Sequence, residues 1–440
     1  MFDPQIYSYS KLLAVLIPYV LLFFTTIFII RGSTLRLLFV MFFGGFFFYS
    51  GLGYGFKFGL ADNYQHYFLI FATVFCLSIV IFNRIISLKE LDFTYVNNRL
   101  ESIFDNRYLI NFIIVGYLSS FVLDLITPEF KLGNLISPPR PNLLADFQGR
   151  FDGTESTTFL NSIFKYFRSL IYPFYMVVLI KQIKRIPLFV LLLFAPLYLE
   201  YCSKAYIGRS AILLSLIFLF MMLWKFRPEI RRRILIITLV VFPSFVVFSF
   251  VYQVIRNPNS KGFNEDLNVT VAAEILINTE VSLPTSSSRI VDQDERVNLK
   301  DHLTWMFTAS IPKFGLFELK KGLAGYEIAE IIVGKKRSTP GFWVPLTGYL
   351  TENIYVYGKL FFWFPAIIIA FLLCFIGKCF GEIPLLYGFV LFLGLTFAYN
   401  LNRAGIGSSL PLLVTYNMIM FLFLFLVFRK VNFKWKLHGA

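Results

Sequence analysis

Long apolar runs separated by short polar connections make up most of this chain. We place eleven runs near residues 11–30, 36–56, 66–83, 108–126, 162–181, 186–201, 208–225, 234–254, 356–377, 383–400 and 409–428. Each is close to the roughly 20 residues that a helix needs to cross a bilayer. The runs are continuously apolar rather than alternating, which excludes a barrel. We therefore predict an all-α, polytopic integral membrane protein with about eleven transmembrane helices, the first of them uncleaved because no cleavage-like motif follows it.

One long polar segment, residues 255–345, interrupts the apolar runs and carries charges of both signs. It divides the chain into helices 1–8 over residues 1–254, the large loop itself, and helices 9–11 with a basic tail over residues 346–440. Within the loop, the apolar spacing at 268–279 and 299–319 predicts two helices on either side of a Ser/Thr-rich turn. A second, smaller loop lies near residues 127–158.

The distribution of Lys and Arg predicts the orientation, since basic loops stay in the cytoplasm. Every second connection has an excess of basic residues, and the last is the tail with Arg429, Lys430, Lys434 and Lys436. Eleven spans with the N-terminus outside and the C-terminus inside produce this alternation. Both loops then lie on the outer side. The weakest assignment is the pair of runs at 162–201, where residues 164–168 interrupt the apolar pattern.

Composition agrees with a membrane protein: 57% of the 440 residues are hydrophobic, 15% are charged, and the mean hydropathy is +0.68. The net charge of +15 sits mainly at the ends of apolar runs, so topology explains it better than a nucleic-acid partner does. We expect much of the aromatic content, 55 Phe and 24 Tyr residues, to face lipid or lie in interfacial belts. Gly51, Gly55 and Gly59 are spaced for close helix packing.

No feature of the sequence predicts a cofactor or a metal. The four Cys and three His residues are scattered, without zinc or haem spacing. The largest inner connection, residues 84–107, lacks a glycine-rich phosphate loop or a dinucleotide fingerprint. Any energy for a reaction must therefore come from an activated substrate or a gradient.

Three basic residues, Lys204, Arg209 and Arg403, lie on the predicted outer side. This is contrary to the usual preference of Lys and Arg for the cytoplasmic side, so their presence needs an explanation. One explanation is snorkelling to lipid phosphates. The other is an organised site for an anionic headgroup, because a guanidinium presents a planar fork of donors that matches phosphate oxygens.

Two further groups suit a site on the outer side. Glu352 lies at the start of the ninth span, just before the apolar run, where a carboxylate can act as a general base or, equally, pair with Lys359 or a neighbouring helix. The smaller outer loop alternates basic and acidic residues, namely Arg140, Asp146, Arg150 and Asp152. That pattern fits either a clamp for sugar and phosphate or a flexible loop with ion pairs.

Several short motifs, in this order, resemble those of Wzy-type oligosaccharide repeat-unit polymerases, the O-antigen and capsule polymerases of bacteria. They are residues 203–210 (SKAYIGRS), 311–313 (IPK), 337–341 (RSTPG), Glu352 with Tyr355 and Gly358, and Asn402 with Arg403. The family also resembles this chain in its ten to twelve spans and large late outer loop. Two departures are Lys313 where the family has arginine, and a missing second glycine after Gly358.

The resemblance implies a membrane glycosyltransferase of the GT-C-like kind, with its large loop in the periplasm of the bacterial inner membrane. Its substrates would be undecaprenyl-pyrophosphate-linked oligosaccharides, used without a cofactor. Such chemistry needs cations on the leaving pyrophosphate and a carboxylate for the hydroxyl proton. We assign Arg209, Arg337 and Arg403 to pyrophosphate and Glu352 to the proton. The expected substrate-binding residues are Arg140, Arg150, Asp152, Lys204 and Lys313, and the expected partners are membrane lipid, a chain-length regulator and a flippase.

Three other activities compete with this interpretation. An O-antigen ligase shares the donor but transfers glycan to lipid A core, and its extracytoplasmic histidine beside an arginine has only His302 as a counterpart here. A lipid-linked oligosaccharide flippase predicts internal repeats and charged residues inside spans, and the sequence shows neither. An acyltransferase would need a membrane-embedded histidine, and we expect none in this chain.

Overall fold

The structure is a computed structural model. It describes residues 9–52, 64–86, 105–124, 159–204, 209–256, 296–309, 324–336, 347–379 and 386–406, with a few isolated positions between them. These residues form helices and no strand. The helices are α1 (Tyr9–Ile29), α2 (Ser33–Phe46, continued by a π-helix at Phe47–Gly51), α3 (Tyr64–Ile85), α4 (Arg107–Asp124), α5 (Phe159–Gln182), α6 (Ile186–Lys204), α7 (Arg209–Phe226), α8 (Arg231–Arg256), α9 (Leu299–Ala309), α10 (Ala324–Val333), α11 (Tyr349–Phe361), α12 (Phe364–Cys379) and α13 (Tyr387–Thr396, continued by a π-helix at Phe397–Leu401).

The helices coincide with ten of the eleven predicted spans, and the eleventh, at 409–428, lies almost wholly outside the described residues. By length and hydropathy, three segments of the described chain can cross a membrane on their own: Ser33–Gly51, Tyr64–Ile85 and Tyr387–Ile406. The pair α11 and α12 passes the same test together, which makes four. The protein is thus an all-α membrane protein, as its sequence predicts.

The ninth predicted span is not one straight helix. It begins earlier than predicted, at Tyr349, and α11 and α12 are bent by 117° relative to each other. Two contacts show that α12 runs parallel to α3. Tyr67 packs on Phe362 at one end of the pair, and Lys378 reaches Asn83 at the other. The α11 helix therefore leaves the direction of the bundle and lies across its end.

Basic side chains close the C-terminal ends of three helices. Arg36 donates a hydrogen bond to the Ile30 carbonyl, Arg227 donates to Ile180, and the Lys378 ammonium donates to Asn83 and Ile86. Such carbonyls have no partner within their own helix, so the cations satisfy them and oppose the helix dipole. We call this face of the bundle the basic end, and the face where α2 and α13 finish the opposite end.

Many aromatic rings of the first three helices lie inside the bundle. The rings of Phe39, Phe43 and Phe75 are nearly unexposed and stack on one another, with centroids 5.1 to 6.1 Å apart. In lipid the hydrophobic effect does little to hold helices together, so close packing must do so. Stacked rings add a directional attraction to that packing.

Gly51 confirms its part of the predicted packing face. A Cβ atom there would lie 2.6 Å from the ring of Phe68 on α3, so only glycine permits this approach of α2 to α3. Gly55 and Gly59 lie outside the described residues.

Candidate functional site

The first two turns of α11 are buried at the opposite end of the bundle. The backbone N–H of Gly348, which precedes the helix with φ +75°, donates a 3.2 Å hydrogen bond to the carbonyl of Arg403. Tyr349 packs edge-on against Phe71 of α3, at a centroid distance of 5.7 Å. These contacts place the start of α11 between α3 and the end of α13.

Glu352 lies one turn into α11, and its side chain is 1% exposed. Its carboxylate accepts a hydrogen bond from the backbone N–H of Ile406. Gly405 adopts φ +78°, and a Cβ atom at this position would collide with the Glu352 carboxylate. The turn at 403–406 is therefore shaped to receive the carboxylate. A neighbouring helix end was one of the partners considered from the sequence.

Arg403 is held on the same turn. Its guanidinium lies over the Tyr399 ring, 5.3 Å from the centroid, while its carbonyl binds Gly348. The next residue inward, Asn402, is fully buried and donates to the carbonyls of Phe42 and Ala398 at 3.0 and 3.1 Å. Asn402 thus ties the end of α13 to α2, and the guanidinium of Arg403 is left half-buried above it.

A π-helix ends both α2 and α13, and the two π-helices pack together at the opposite end. Tyr49 of one and Tyr399 of the other meet at 78°, with ring centroids 6.0 Å apart. A π-helix inserts an extra residue and rotates the residues after it, a distortion that is frequent at functional sites. Here it turns Asn402 inward while Tyr399 remains beneath the Arg403 guanidinium.

Two helices of the large loop cover α11. Ile290, Val297, Ala324 and Ile328 form an apolar cluster with Tyr355 and Val356 of α11. The Tyr355 hydroxyl donates a 3.2 Å hydrogen bond to Glu327 on α10. Burial raises the pKa of the Glu327 carboxyl, and the like charges of Glu330 and Asp301 raise it further, against the lowering effect of the Tyr355 hydroxyl.

The α9 helix confirms part of the predicted 299–319 helix, α10 was not predicted, and the 268–279 helix lies outside the described residues.

Gly358 interrupts α11 with φ +72° and ψ 172°, and the guanidinium of Arg296 occupies the space where a Cβ atom would be. Tyr355 and Gly358, which belong to the same sequence motif, thus both hold the loop on α11.

A second feature is a cavity of about 330 Å³ between α4, α5, α6, α7 and α13. Tyrosines and other apolar side chains form most of its wall, and Arg168 and Glu200 are its charged members. Its polar lining residues are Arg168, Glu200, Ser215, Thr396 and Asn400, and its aromatic ones are Tyr117, Phe121, Tyr172, Tyr175, Phe218 and Phe392. A mostly apolar cavity with a few converging polar groups is a candidate binding site.

The sequence-predicted site is only partly within the described residues. The structure brings Glu352 of α11 to the turn at 403–406, which carries Arg403. Lys204 and Arg209 lie at the ends of α6 and α7, but their side chains lie outside the described part of the chain, as do all parts of Arg140, Arg150, Asp152, Lys313 and Arg337. Sequence reasoning missed Arg168 and Glu200 as site residues, although the break in apolar pattern at 164–168 signalled the first. Both residues lie on helices, α5 and α6, that coincide with predicted spans.

Across the described ranges, no group of three or more His, Cys, Asp or Glu side chains is close enough to hold a metal ion. The chemistry available there is that of one buried carboxylate, one half-buried guanidinium and the polar wall of the cavity.

Comparison of the chain with known protein families, with curated proteins and with solved structures finds no match.

Proposed function

We propose that this protein polymerises undecaprenyl-pyrophosphate-linked oligosaccharide repeat units into O-antigen or capsular polysaccharide. The observation that carries the proposal is the meeting of Glu352 and the Arg403 turn at one end of a membrane bundle, beneath two helices of the large loop. A carboxylate and a guanidinium at a membrane face are the groups that transfer from a pyrophosphate carrier requires.

The topology that goes with this function has eleven spans, a periplasmic N-terminus and a cytoplasmic C-terminus in the bacterial inner membrane. In support, the basic side chains that close helix ends, namely Arg36, Arg227 and Lys378, all belong to connections that the charge pattern assigns to the cytoplasm. The opposite end, with Glu352, then faces the periplasm, where lipid-linked repeat units rather than nucleotide-sugars are the activated donors.

In the proposed reaction, a hydroxyl of the incoming repeat unit attacks the anomeric carbon of the growing glycan. The new glycosidic C–O bond forms as the bond from that carbon to the pyrophosphate oxygen breaks, and Glu352 takes the hydroxyl proton. Arg403, with Arg209 and Arg337, stabilises the pyrophosphate that leaves with the bonding electrons. The residues that bind the glycan or the second pyrophosphate are Arg140, Arg150, Asp152, Lys204 and Lys313.

The burial of Glu352 adds a condition to this scheme. Because only 1% of the residue is exposed and the N–H of Ile406 occupies its carboxylate, an acceptor hydroxyl reaches it only when the turn at 403–406 moves. Substrate binding at Arg403 would move the same turn. The scheme therefore couples pyrophosphate binding to the uncovering of the base.

Glycan analysis tests the proposal. A deletion strain should carry single repeat units on lipid A core, whereas full polymer accumulating on the lipid carrier would indicate a ligase. Arg403→Ala and Arg337→Ala should shorten the glycan ladder of the complemented strain, and Arg232→Ala, an exposed residue at the basic end, should leave it normal. Normal ladders from both site variants would refute the assignment of these arginines.

The cavity with Arg168 and Glu200 favours a second function, a lipid-linked oligosaccharide flippase, because charged groups within spans line transport pathways. The two functions differ in what the deletion strain accumulates. Loss of a flippase leaves lipid-linked repeat units on the cytoplasmic leaflet and none on lipid A core, while loss of a polymerase still delivers single units.

A further inference from the structure

The cavity between α4, α5, α6, α7 and α13 has a polar side and an apolar side. Three of its helices each contribute a polar and an apolar lining residue, in the pairs Arg168 and Met176, Glu200 and Leu193, and Asn400 and Phe392. The α5 helix begins at the opposite end, and α6 and α13 finish there, so in each pair the polar residue lies nearer that end. A lipid in the leaflet at the opposite end has the same polarity, with its head outward and its chain toward the midplane.

Arg168 is fixed in the polar part of the cavity. It lies nine residues into α5, roughly 13 Å along the helix axis at the usual rise per residue. Its guanidinium donates a 3.2 Å hydrogen bond to the Ser120 carbonyl and lies 4.6 Å from the centroid of the Phe121 ring. These two contacts orient a planar cation whose geometry matches phosphate oxygens.

Tyrosines form the wall beside Arg168. The rings of Tyr117 and Tyr175 lie 4.3 Å apart, and the hydroxyls of Tyr172 and Ser215 are hydrogen-bonded to each other. Such a wall offers flat apolar faces and hydroxyl groups together, which suits a sugar ring with its apolar faces and polar rim. Its volume of about 330 Å³ is in the range of small-molecule sites.

We propose that this cavity binds the head of a polyprenyl-phosphate-linked sugar that enters from the membrane leaflet at the opposite end. The phosphate binds Arg168, the sugar packs on the tyrosines and hydrogen-bonds to Glu200 and Asn400, and the first isoprenoid units lie against Met176 and Leu193. The choice of a phosphate-linked sugar as the head rests on the proposed function. The site is separate from Glu352, and the π-helix of α13 joins them, since Asn400 lines the cavity and Arg403 follows on the turn that binds Glu352.

The test uses the full-length protein in nanodiscs of phosphatidylethanolamine and phosphatidylglycerol. The probe is farnesyl-phosphate-linked glucose with a diazirine in its isoprenoid chain, and the comparison probe is the neutral farnesyl glucoside with the same diazirine. After illumination, peptide mapping should find the label on α5, α6, α7 or α13, and excess unlabelled phosphate probe should prevent it. Label spread over lipid-facing helix surfaces, without competition, would overturn the proposal.

Two matched pairs of variants sharpen this test. Leu214→Trp fills the cavity and should reduce labelling about tenfold, whereas Leu239→Trp, on a side chain that is 75% exposed, should not change it. Arg168→Met should weaken the phosphate probe about tenfold and the neutral probe much less, and Arg232→Met should affect neither. Equal weakening of both probes by Arg168→Met would refute phosphate binding at this residue.

Gel filtration and thermal unfolding establish that each variant is folded. If Arg168→Met does not fold, Leu214→Trp and the competition experiment still decide the result: undiminished labelling of Leu214→Trp overturns the site. That outcome leaves the polymerase proposal standing. A deletion strain with full-length polymer, in contrast, refutes the polymerase while probe binding to the purified protein is unaffected.

Discussion

The carboxylate of Glu352 accepts a hydrogen bond from the backbone N–H of Ile406, a residue 54 positions later in the chain. The backbone on both sides of this contact favours it. The helix that carries Glu352 begins on the Arg403 carbonyl, and Gly405 leaves the space that the carboxylate occupies. The contact therefore connects Glu352, the proposed base, to the turn that carries Arg403, the residue proposed to bind pyrophosphate.

Replacing Glu352 with glutamine should separate chemistry from structure. The amide oxygen of glutamine can still accept the N–H of Ile406, so thermal stability in detergent should stay close to that of the wild type. An amide cannot take up the hydroxyl proton, so transfer between purified lipid-linked repeat units should slow by about 100-fold or more. The measurement is the rate at which radiolabelled polymer forms.

Glu352→Ala is the companion variant, because it removes both the proton acceptor and the contact with Ile406. It should lose activity and thermal stability together. If Glu352→Gln polymerises at the wild-type rate while Glu352→Ala unfolds, the carboxylate only holds the turn at 403–406.

Gly405→Ala should displace the Glu352 carboxylate. Residue 405 adopts φ +78°, which costs an L-residue about 1–2 kcal/mol, and the added methyl group would overlap the carboxylate. We expect a lower melting temperature and loss of polymer. Gly325→Ala on α10 is the control, since nothing lies within 4 Å of a Cβ atom there, and it should neither lower the melting temperature nor reduce the polymer.

Neighbouring glycines on α2 should respond in opposite ways to alanine. A Cβ atom at Gly45 would collide with the Ala398 carbonyl of α13, so Gly45→Ala should destabilise the bundle by about 1–3 kcal/mol. Gly44 has nothing within 4 Å, and Gly44→Ala should stabilise α2 by roughly 0.5–1 kcal/mol. Thermal unfolding of the two variants in the same detergent checks this, and equal effects would contradict the contact between α2 and α13.

The contact between α10 and α11 should weaken as the pH rises. Because the pKa of Glu327 is raised by burial and by Glu330 and Asp301, the folded protein holds this proton more tightly than the unfolded chain does. The stabilisation is complete below the ordinary glutamate pKa of 4.5 and is lost as the pH rises through the raised value. Glu327→Gln mimics the protonated form.

The difference in melting temperature between wild type and Glu327→Gln is the measurement. It should be small in acid, and the wild type should become the less stable of the two as the pH rises. A difference that does not change with pH would contradict the raised pKa.

The sequence predicted the helices of the bundle well, because hydropathy along about 20 residues is a local property. It also predicted that Glu352 and Arg403 belong to one site, through the order of short motifs. It did not predict the 117° bend before α12, because the apolar run continues across the bend and hides it. Nor did it predict the cavity, since Arg168 and Glu200 lie on separate helices and only a break in apolar pattern marked one of them.

By itself, then, the sequence determined that this is an all-α membrane protein, where most helices of its bundle lie and which connections are basic. These properties arise from the cost of exposing polar backbone to lipid and from charge near helix ends, and both act over one helix at a time. Only the tertiary structure decided that Phe39 and Phe75 face each other rather than lipid, that Ile406 binds Glu352, and that five helices enclose a cavity around Arg168. Those outcomes depend on contacts between distant residues, for which the hydropathy of either residue carries no information.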